Sequence, residues 1–236
     1  MIECDLHLHS IRSACGFHTL FEIVTIMQNK GQKGFALTDH GPSLGTPWNH
    51  FSVLLKRMPA VVDGIRVFKG IESSVLNTEG EIDTPVFAGF SYEIILAGLH
   101  PQGDFIESRG TAENTLALVN AVKRNPAIRG ITHPTYLTLP TDPDRLTDLA
   151  AERNIALEIN NAHLRSGKAD KELTLRMLEF ALEKGAPLMI NSDGHVFTEM
   201  GEYERALDVI EPFGADRLRI VNRTLAGTLA FLGLEE

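Results

Sequence analysis

Short apolar runs alternate with amphipathic stretches along most of the chain. Runs rich in Val, Ile, Leu and Phe are typical of buried strands, and apolar residues at three-and-four spacing predict helices. Seven strands are predicted, in IECDLHL (2–8), GFALTDHG (34–41), IRVFKGIESS (65–74), YEIILAGLHP (92–101), IRGITHP (128–134), IALEINN (155–161) and PLMINSDGH (187–195).

The stretches between these strands carry helix-end signals. Thr19 and Glu22 form a capping box before a helix that ends near Gly31. Helices are also predicted over 48–58, 111–125, 141–154 and 168–186, and from about residues 202 and 223. Alternating strands and helices indicate right-handed crossovers and a parallel α/β sheet. The composition has no linker-like stretch, so one domain over residues 1–236 is expected, although periodicity does not separate an open sheet from a barrel.

Histidines lie where the predicted strands end. The strand ends carry these residues: His7, His9, His40, Glu72, His100, His133, Asp193 and His195. In a parallel α/β barrel all carboxyl ends of the strands meet on one face, whereas in an open sheet they spread along an edge. The distribution therefore favours a closed or nearly closed barrel with a functional site at that mouth.

So many imidazoles in one place need an explanation. Protonated histidines would repel one another, and neutral buried ones would leave nitrogens unpaired. Divalent metal ions remove both problems, since imidazole and carboxylate are common ligands of Zn, Fe and Mn. His7 and His9, two apart on a strand, point the same way and can reach one ion, and Asp193 and His195 repeat this spacing. The number of candidate ligands indicates two or three ions.

The amino-acid composition limits the classes of molecule that the protein is expected to bind. The 236 residues are 43% hydrophobic, enough for a full core, and the formal net charge is −9. This charge argues against stable nucleic-acid binding through a basic face, but a phosphorylated substrate could be met by bound cations. Cys4 and Cys15 are too few for a disulfide framework. We see no signal peptide and no apolar run long enough for a spanning helix, and we expect a soluble cytoplasmic protein without membrane contact.

The motifs, taken in order, resemble the PHP (polymerase and histidinol phosphatase) family, and within it the small bacterial metal-dependent phosphatases. The resemblance rests on DLHLHS (5–10), LTDHGP (37–42), GIES (70–73), EGEID (79–83), AGLHP (97–101), THP (132–134), LEINN (157–161), NSDGH (191–195) and MGEYERALDVI (200–210). It implies a distorted (β/α)7 barrel, a single PHP-type phosphoesterase domain, and three metal ions at the C-terminal mouth of the strands.

The resemblance also implies which residues hold each ion. One ion would have four ligands: His7, His9, Glu72 and Asp193. Glu72 would bridge to a second ion that His100 and His133 also hold, and His40 and His195 would hold the third. The family has one more histidine at the third ion, and Cys15 stands in its place. Three possibilities stay open: Cys15 ligates as a thiolate, which would favour zinc; His18 takes that role; or the third site is weak or empty.

The implied activity is hydrolysis of a small phosphomonoester. A water or hydroxide between two Zn, Fe or Mn ions would attack the phosphorus, with Glu72, Asp193 and His195 as the catalytic residues. Three basic residues are candidates for contacting the phosphate: Arg12, Arg165 and Lys168.

Further expectations concern the surroundings of the site and two alternative functions. Asp5 and Asp39 are candidates for orienting a histidine, with a packing or capping role as the alternative. His163, near the same mouth, and His50, in a helix, are expected to be ordinary surface histidines. The alternatives are an amidohydrolase-type C–N bond hydrolase and a metal-binding regulatory domain without activity. The natural substrate and the oligomeric state are not readable from the sequence.

Overall fold

The computed structural model describes residues 2–47, 55–101 and 109–235. The strands are β1 Cys4–Leu8, β2 Gly34–Leu37, β3 Val61–Val62, β4 Ile65–Ser74, β5 Ile94–Gly98, β6 Ile128–Ile131, β7 Ala156–Asn160 and β8 Leu188–Asn191. The α-helices are α1 Leu20–Asn29, α2 Thr111–Arg124, α3 Pro143–Arg153, α4 Asn161–Ser166, α5 Lys171–Lys184, α6 Glu204–Ile210 and α7 Leu225–Leu232.

Seven strands form one parallel path in the order β1-β2-β4-β5-β6-β7-β8. Each ladder along this path is parallel, so the carboxyl ends of the strands lie on one face. β3 is a two-residue strand that pairs antiparallel with β4. The seven-stranded prediction is confirmed for the main path; β3 was missed because two residues are too few for a periodic signal.

The path is nearly closed into a barrel between β8 and β1. On the mouth side, Leu8 forms a parallel bridge with Gly194, and the His9 amide donates to the Gly194 carbonyl at 3.1 Å. Further down, the Leu6 amide donates to the side-chain oxygen of Asn191 at 2.9 Å. The distorted (β/α)7 barrel expected from the sequence is therefore present.

At the opposite end, the side chain of Asn222 joins β1 to β8. Its amide nitrogen donates to the carbonyls of Cys4 at 2.8 Å and Ile190 at 2.6 Å, and its oxygen accepts from the Ile190 amide at 3.0 Å. The backbone beside it continues the pairing, since the Val221 amide donates to the Leu188 carbonyl at 2.8 Å. Asn222 is fully buried, so its side chain connects β1 and β8 within the barrel wall.

The barrel interior is filled by apolar side chains from several strands, which pack with α7. The cluster includes Leu6, Phe68, Leu96, Met189, Leu229 and Leu232. Helix α7 thus closes the bottom, while the carboxyl ends of the strands stay open at the top. Two other apolar clusters lie largely between the sheet and the surrounding helices.

One helix of the structure was not predicted, and one predicted helix is left largely untested. The short helix α4 was not predicted, because it begins directly after β7 at Asn160, whose side chain accepts from the His163 amide and caps it. The helix predicted over 48–58 lies mostly outside the described residues. Among the helices within 2–47, 55–101 and 109–235, none is long and apolar enough to cross a membrane.

Candidate metal centre

The carboxyl ends of the parallel strands bring the predicted ligands together. His7 lies in β1, with His9 just beyond its end, and Glu72 lies in β4. The loops that follow β2, β5, β6 and β8 carry the others: His40, His100, His133, Asp193 and His195. Residues spread over nearly 190 positions of sequence therefore form one cluster, in which Glu72 is central.

Glu72 has imidazoles on both of its oxygens. Oε1 lies 3.1 Å from His100 Nε2 and 3.0 Å from His133 Nε2. Oε2 lies 3.2 Å from His7 Nε2 and 2.8 Å from His40 Nδ1. The side chain is 1% exposed. One carboxylate thus stands between two groups of nitrogen donors.

Asp193 joins the group on the β1 side. Its Oδ1 lies 3.2 Å from His9 Nε2 and 3.5 Å from His7 Nε2. Asp193 and His133 have positive φ values of 53° and 33°, which residues other than glycine rarely adopt. Strain of this kind persists where the surrounding structure holds a side chain in place for function.

The donors present fit divalent metal ions. Two imidazole nitrogens, His7 Nε2 and His9 Nε2, lie 3.1 Å apart, and the buried Oε2 of Glu72 makes no hydrogen bond of acceptable geometry among the described residues. Burial alone would raise the pKa of Glu72, but the charges of His7, His100 and His40 lower it well below its usual value. An ionised carboxylate oxygen among imidazole nitrogens that can give up their protons is a setting that a metal ion would satisfy.

His7 is oriented by a carboxylate that the sequence reasoning missed. Its Nδ1 donates to Glu158 Oε1 at 2.7 Å, which turns Nε2 toward Glu72 and Asp193. Glu158 also accepts from the His133 amide at 2.8 Å and from the Asn160 and Asn191 side chains. Burial would lower the pKa of His7, but the carboxylates of Glu158 and Glu72 raise it well above its ordinary value. The one sign of this role in the sequence was that Glu158 is the only acidic residue in the predicted strand motif LEINN.

His9 is oriented through a serine. The Ser13 hydroxyl donates to Asp39 at 2.9 Å, so it accepts from His9 Nδ1, 3.0 Å away, and from the His40 amide at 2.9 Å. Asp39 therefore acts on His9 through Ser13. Asp5 instead accepts hydrogen bonds from the backbone amides of His7, Ser192 and Gly201. It therefore connects β1 to the segment that follows β8.

His100 and His133 depend on the absence of a side chain at Gly98. A Cβ there would lie 2.3 Å from the Thr132 hydroxyl and 2.9 Å from a ring carbon of His133. Those positions are closer than real Cβ contacts, so only glycine lets the two imidazoles approach Glu72. The other ring nitrogen of His100 lies 3.0 Å from the Ser74 hydroxyl, which fixes the ring.

Cys15 lies beside the remaining histidines. Donor atoms of His9, Cys15, His40 and His195 all lie within 4.8 Å of one another. Burial would raise the pKa of the Cys15 thiol, but hydrogen bonds to His195 and His40 lower it to about 7. His18 is outside this group, because its Nε2 accepts from the Phe197 amide at 3.0 Å.

A cavity of about 440 Å³ lies over the cluster. Its wall includes Arg165 and Lys168, the first of which pairs with Glu199 at 2.7 Å. Arg12 lines a different, more apolar groove, and its guanidinium donates to the Pro47 carbonyl at 2.9 Å.

The expectation that His163 is an ordinary surface residue is wrong. Its ring stacks on His133 with centroids 4.9 Å apart and also lines the cavity. Helix α4, which the sequence did not predict, carries it there. Burial lowers the pKa of His163 to about 3, so the ring is neutral at physiological pH. His50 lies outside the described residues.

Similar proteins are found among curated sequences and solved structures. The chain is 35% identical over 235 residues to a probable phosphatase of Shewanella piezotolerans, a match that covers 97% of this chain and 92% of that protein. It is 37% identical over 236 residues to a probable phosphatase of Shewanella frigidimarina, with the same coverage of both proteins. A scan against family models finds no match.

Among solved structures, the fold is similar to that of histidinol phosphate phosphatase from Lactococcus lactis, a structure in complex with zinc, L-histidinol and phosphate. The TM-score is 0.65 at 16% identity, and the alignment covers 90% of this chain and 94% of that one. At 16% identity, the similarity between the two proteins shows only that they share a fold. The near full-length identity to the Shewanella proteins carries the assignment, and the chain belongs to their family of probable phosphatases.

Proposed function

We propose that this phosphatase hydrolyses a phosphomonoester of a small molecule at the strand-end cluster, with zinc, iron or manganese ions as cofactors. Glu72 carries the proposal, because each of its two oxygens has its own pair of close imidazole nitrogens: His100 and His133 on Oε1, His7 and His40 on Oε2. A carboxylate placed in this way can bridge two ions.

The proposed ligand sets are those that the resemblance to the PHP family implies. The first ion would be held by His7, His9, Glu72 and Asp193, and the second by Glu72, His100 and His133. His40 and His195 would belong to a third. When bound, such ions supply a nucleophilic water near neutral pH and offset the charge on phosphate oxygens.

The protein's own residues hold and orient these ligands. Glu158 fixes the ring of His7, and Asp39 fixes that of His9 through Ser13, so both rings keep Nε2 toward the cluster. Glu72 and Asp193 supply negative charge that ions would neutralise, which leaves the mouth suited to an anionic substrate. His195 lines the cavity and can contact an ester bound there.

The cavity supports a small substrate. Its volume, about 440 Å³ among the described residues, is in the range of pockets for small molecules. Lys168 lines it, and no carboxylate in the described ranges pairs with its amine. We assign Lys168, together with Arg165, to the phosphate or another anionic group of the substrate. Arg12 is a weaker candidate because it lines the other groove.

The test is hydrolysis of a panel of small phosphomonoesters, including p-nitrophenyl phosphate, by protein loaded with Zn²⁺, Mn²⁺ or Fe²⁺. Glu72→Gln removes the bridging charge at nearly constant volume, and we expect it to lower kcat/KM at least 1000-fold, an effect of about 4 kcal/mol. Glu152→Gln, an exposed change on α3, is the matched control.

Two outcomes would contradict the proposal. One is full activity in Glu72→Gln. The other is hydrolysis of N-acyl substrates with no phosphoester turnover, which is the expectation for a C–N bond hydrolase.

A further inference from the structure

Cys15 stands in a group of donors that contains no carboxylate. The group consists of His9, Cys15, His40 and His195, whose donor atoms all lie within 4.8 Å of one another. The other two donor groups in the described residues both include Glu72. The cluster therefore has a sulfur-containing side, which His9 and His40 connect to the carboxylate side at Glu72.

The loop that carries Cys15 is fixed at both ends. Before Cys15, the Ser13 hydroxyl bonds to Asp39 and to the His40 amide. After it, the Phe17 amide donates to the His195 carbonyl at 2.9 Å. These bonds tie the loop to the segments that carry His40 and His195, so the thiol is held beside their imidazoles.

A tight turn makes this position possible. Ala14 has a positive φ of 59°, and the backbone at Gly16 packs so closely on Ser10 that a Cβ would lie 2.1 Å from its carbonyl oxygen. Gly16 is therefore required for the loop to fold back on the strand end. The strained turn beside Cys15 indicates a loop shaped to present that residue.

His18 does not compete for this place. Its Nε2 accepts a hydrogen bond from the Phe197 amide, and its ring lies edge-on to Phe17 and Phe197 at centroid distances of 5.5 and 6.1 Å. To reach the donor group it would have to lose all of these contacts.

We propose that Cys15, His40 and His195 form a zinc-selective site, while the carboxylate side bridged by Glu72 takes a harder ion such as Mn²⁺ or Fe²⁺. Thiolate and imidazole ligands suit Zn²⁺, and carboxylate ligands are better matched to Mn²⁺. The protein then binds two classes of metal at once. This inference rests on the proposed metal-dependent function, and its test reads the metal–sulfur bond directly.

The first experiment is Co²⁺ titration of metal-free protein, followed by absorption spectroscopy. A thiolate bound to Co²⁺ gives a charge-transfer band in the near ultraviolet that imidazole and carboxylate ligands do not. We expect this band in the unaltered protein and in Cys4→Ser, whose thiol lies buried in the barrel interior. We expect it to be lost in Cys15→Ser and Cys15→His.

The second experiment loads the protein with Zn²⁺ and measures its metal content after dialysis against a large excess of Mn²⁺, because Zn²⁺ outcompetes Mn²⁺ at most sites when the two are equal in concentration. The unaltered protein should keep one tightly bound zinc per chain that Mn²⁺ does not displace. Cys15→His should still bind a metal at that position but lose the preference for zinc, and Cys15→Ser should lose the ion.

Failure of this inference is distinguishable from failure of the proposed function. Phosphatase activity without a cobalt–sulfur band, or with the band unchanged in Cys15→Ser, overturns the zinc site and leaves the function intact. A band that depends on Cys15 in a protein that hydrolyses no phosphoester supports the site and overturns the function.

Discussion

Nδ1 of His7 donates to Oε1 of Glu158 at 2.7 Å, and both side chains are fully buried. A carboxylate in this position makes the imidazole a better metal ligand and fixes its orientation. Glu158→Gln keeps an oxygen acceptor but removes the charge, so we expect the affinity for the first metal ion to fall 10- to 100-fold. Competition with a chromophoric chelator measures this directly.

Glu152→Gln is again the control, because Glu152 is exposed on α3. Thermal melts of the metal-free variants separate a metal effect from misfolding. Unchanged metal affinity in a folded Glu158→Gln protein would show that the charge on Glu158 does not matter to the ligand.

Metal binding should release protons. In the metal-free protein, burial opposes charge on His40 and His195, yet Glu72 and Cys15 raise the pKa of His40 to about 10, and Cys15 and Asp193 raise that of His195 to about 9. Both rings are therefore protonated at pH 7 and must lose a proton to become ligands. His7, whose pKa is also raised, adds about one proton, and the Cys15 thiol, with a pKa of about 7, adds about half of one. We therefore expect roughly three to four protons released per protein at pH 7 and tighter binding as the pH rises toward 9. Calorimetry in buffers of different ionisation enthalpy counts them.

The same shifts predict how the stability of the metal-free protein depends on pH. A raised histidine pKa contributes stability that is complete below the ordinary value of 6.5 and is lost as the pH rises through the folded value. For His40 and His195 the loss falls between about pH 6.5 and 10. The increase in Tm caused by metal should therefore grow from pH 7 to pH 9. In His195→Asn the proton count should fall by about one.

Lys168→Ala should weaken substrate binding more than turnover. The exposed amine lines the cavity and can meet an anionic group, an interaction made equally in the ground state and the transition state. We expect KM to rise about tenfold with little change in kcat, and the effect to shrink at high salt. Steady-state kinetics at two ionic strengths check this.

Lys171→Ala is the matched control, since Lys171 lines a different groove at the start of α5. Equal KM changes in the two variants would mean that Lys168 acts only through the general charge of the surface.

Asn222→Ala should destabilise the barrel. The substitution leaves the Cys4 carbonyl and the Ile190 amide buried without their partner, and each such group costs about 1–3 kcal/mol. We expect the free energy of unfolding to fall by roughly 3 kcal/mol and Tm by about 6–12 °C. Chemical and thermal denaturation measure both, with the exposed Asn29→Ala as control, for which the change should be within about 0.5 kcal/mol.

The strand pattern and the strand-end histidines predicted most of the fold and the site. Strand identity follows from apolar runs of the chain itself, and parallel order follows from the helices between them. Because parallel strands end on one face, the convergence of His7, Glu72 and Asp193 was deducible without knowing any distance. The ligand assignment to separate ions stays a proposal.

What the sequence did not reveal depends on contacts between distant segments. Glu158 looks like any acid in a strand until its distance to His7, 151 residues away, is known. His163 was expected to be an ordinary surface residue because α4 is too short to show a helical period, so nothing in the sequence indicated that its ring would stack on His133. The choice between Cys15 and His18 depended on which loop atoms they contact, and spacing alone gives no information on that.

The connection that Asn222 makes between β1 and β8 determines the order in which the barrel can be completed during synthesis. Its bond to the Cys4 carbonyl joins residues 218 positions apart, so β1 emerges from the ribosome long before the segment that secures it. His7 and His9 are made well before Asn222 and stay without a rigid frame until residues near 222 have followed. Contacts of such separation form slowly. A metal ion captured earlier would meet a partial set of ligands, so correct loading of the centre is expected to follow completion of the barrel.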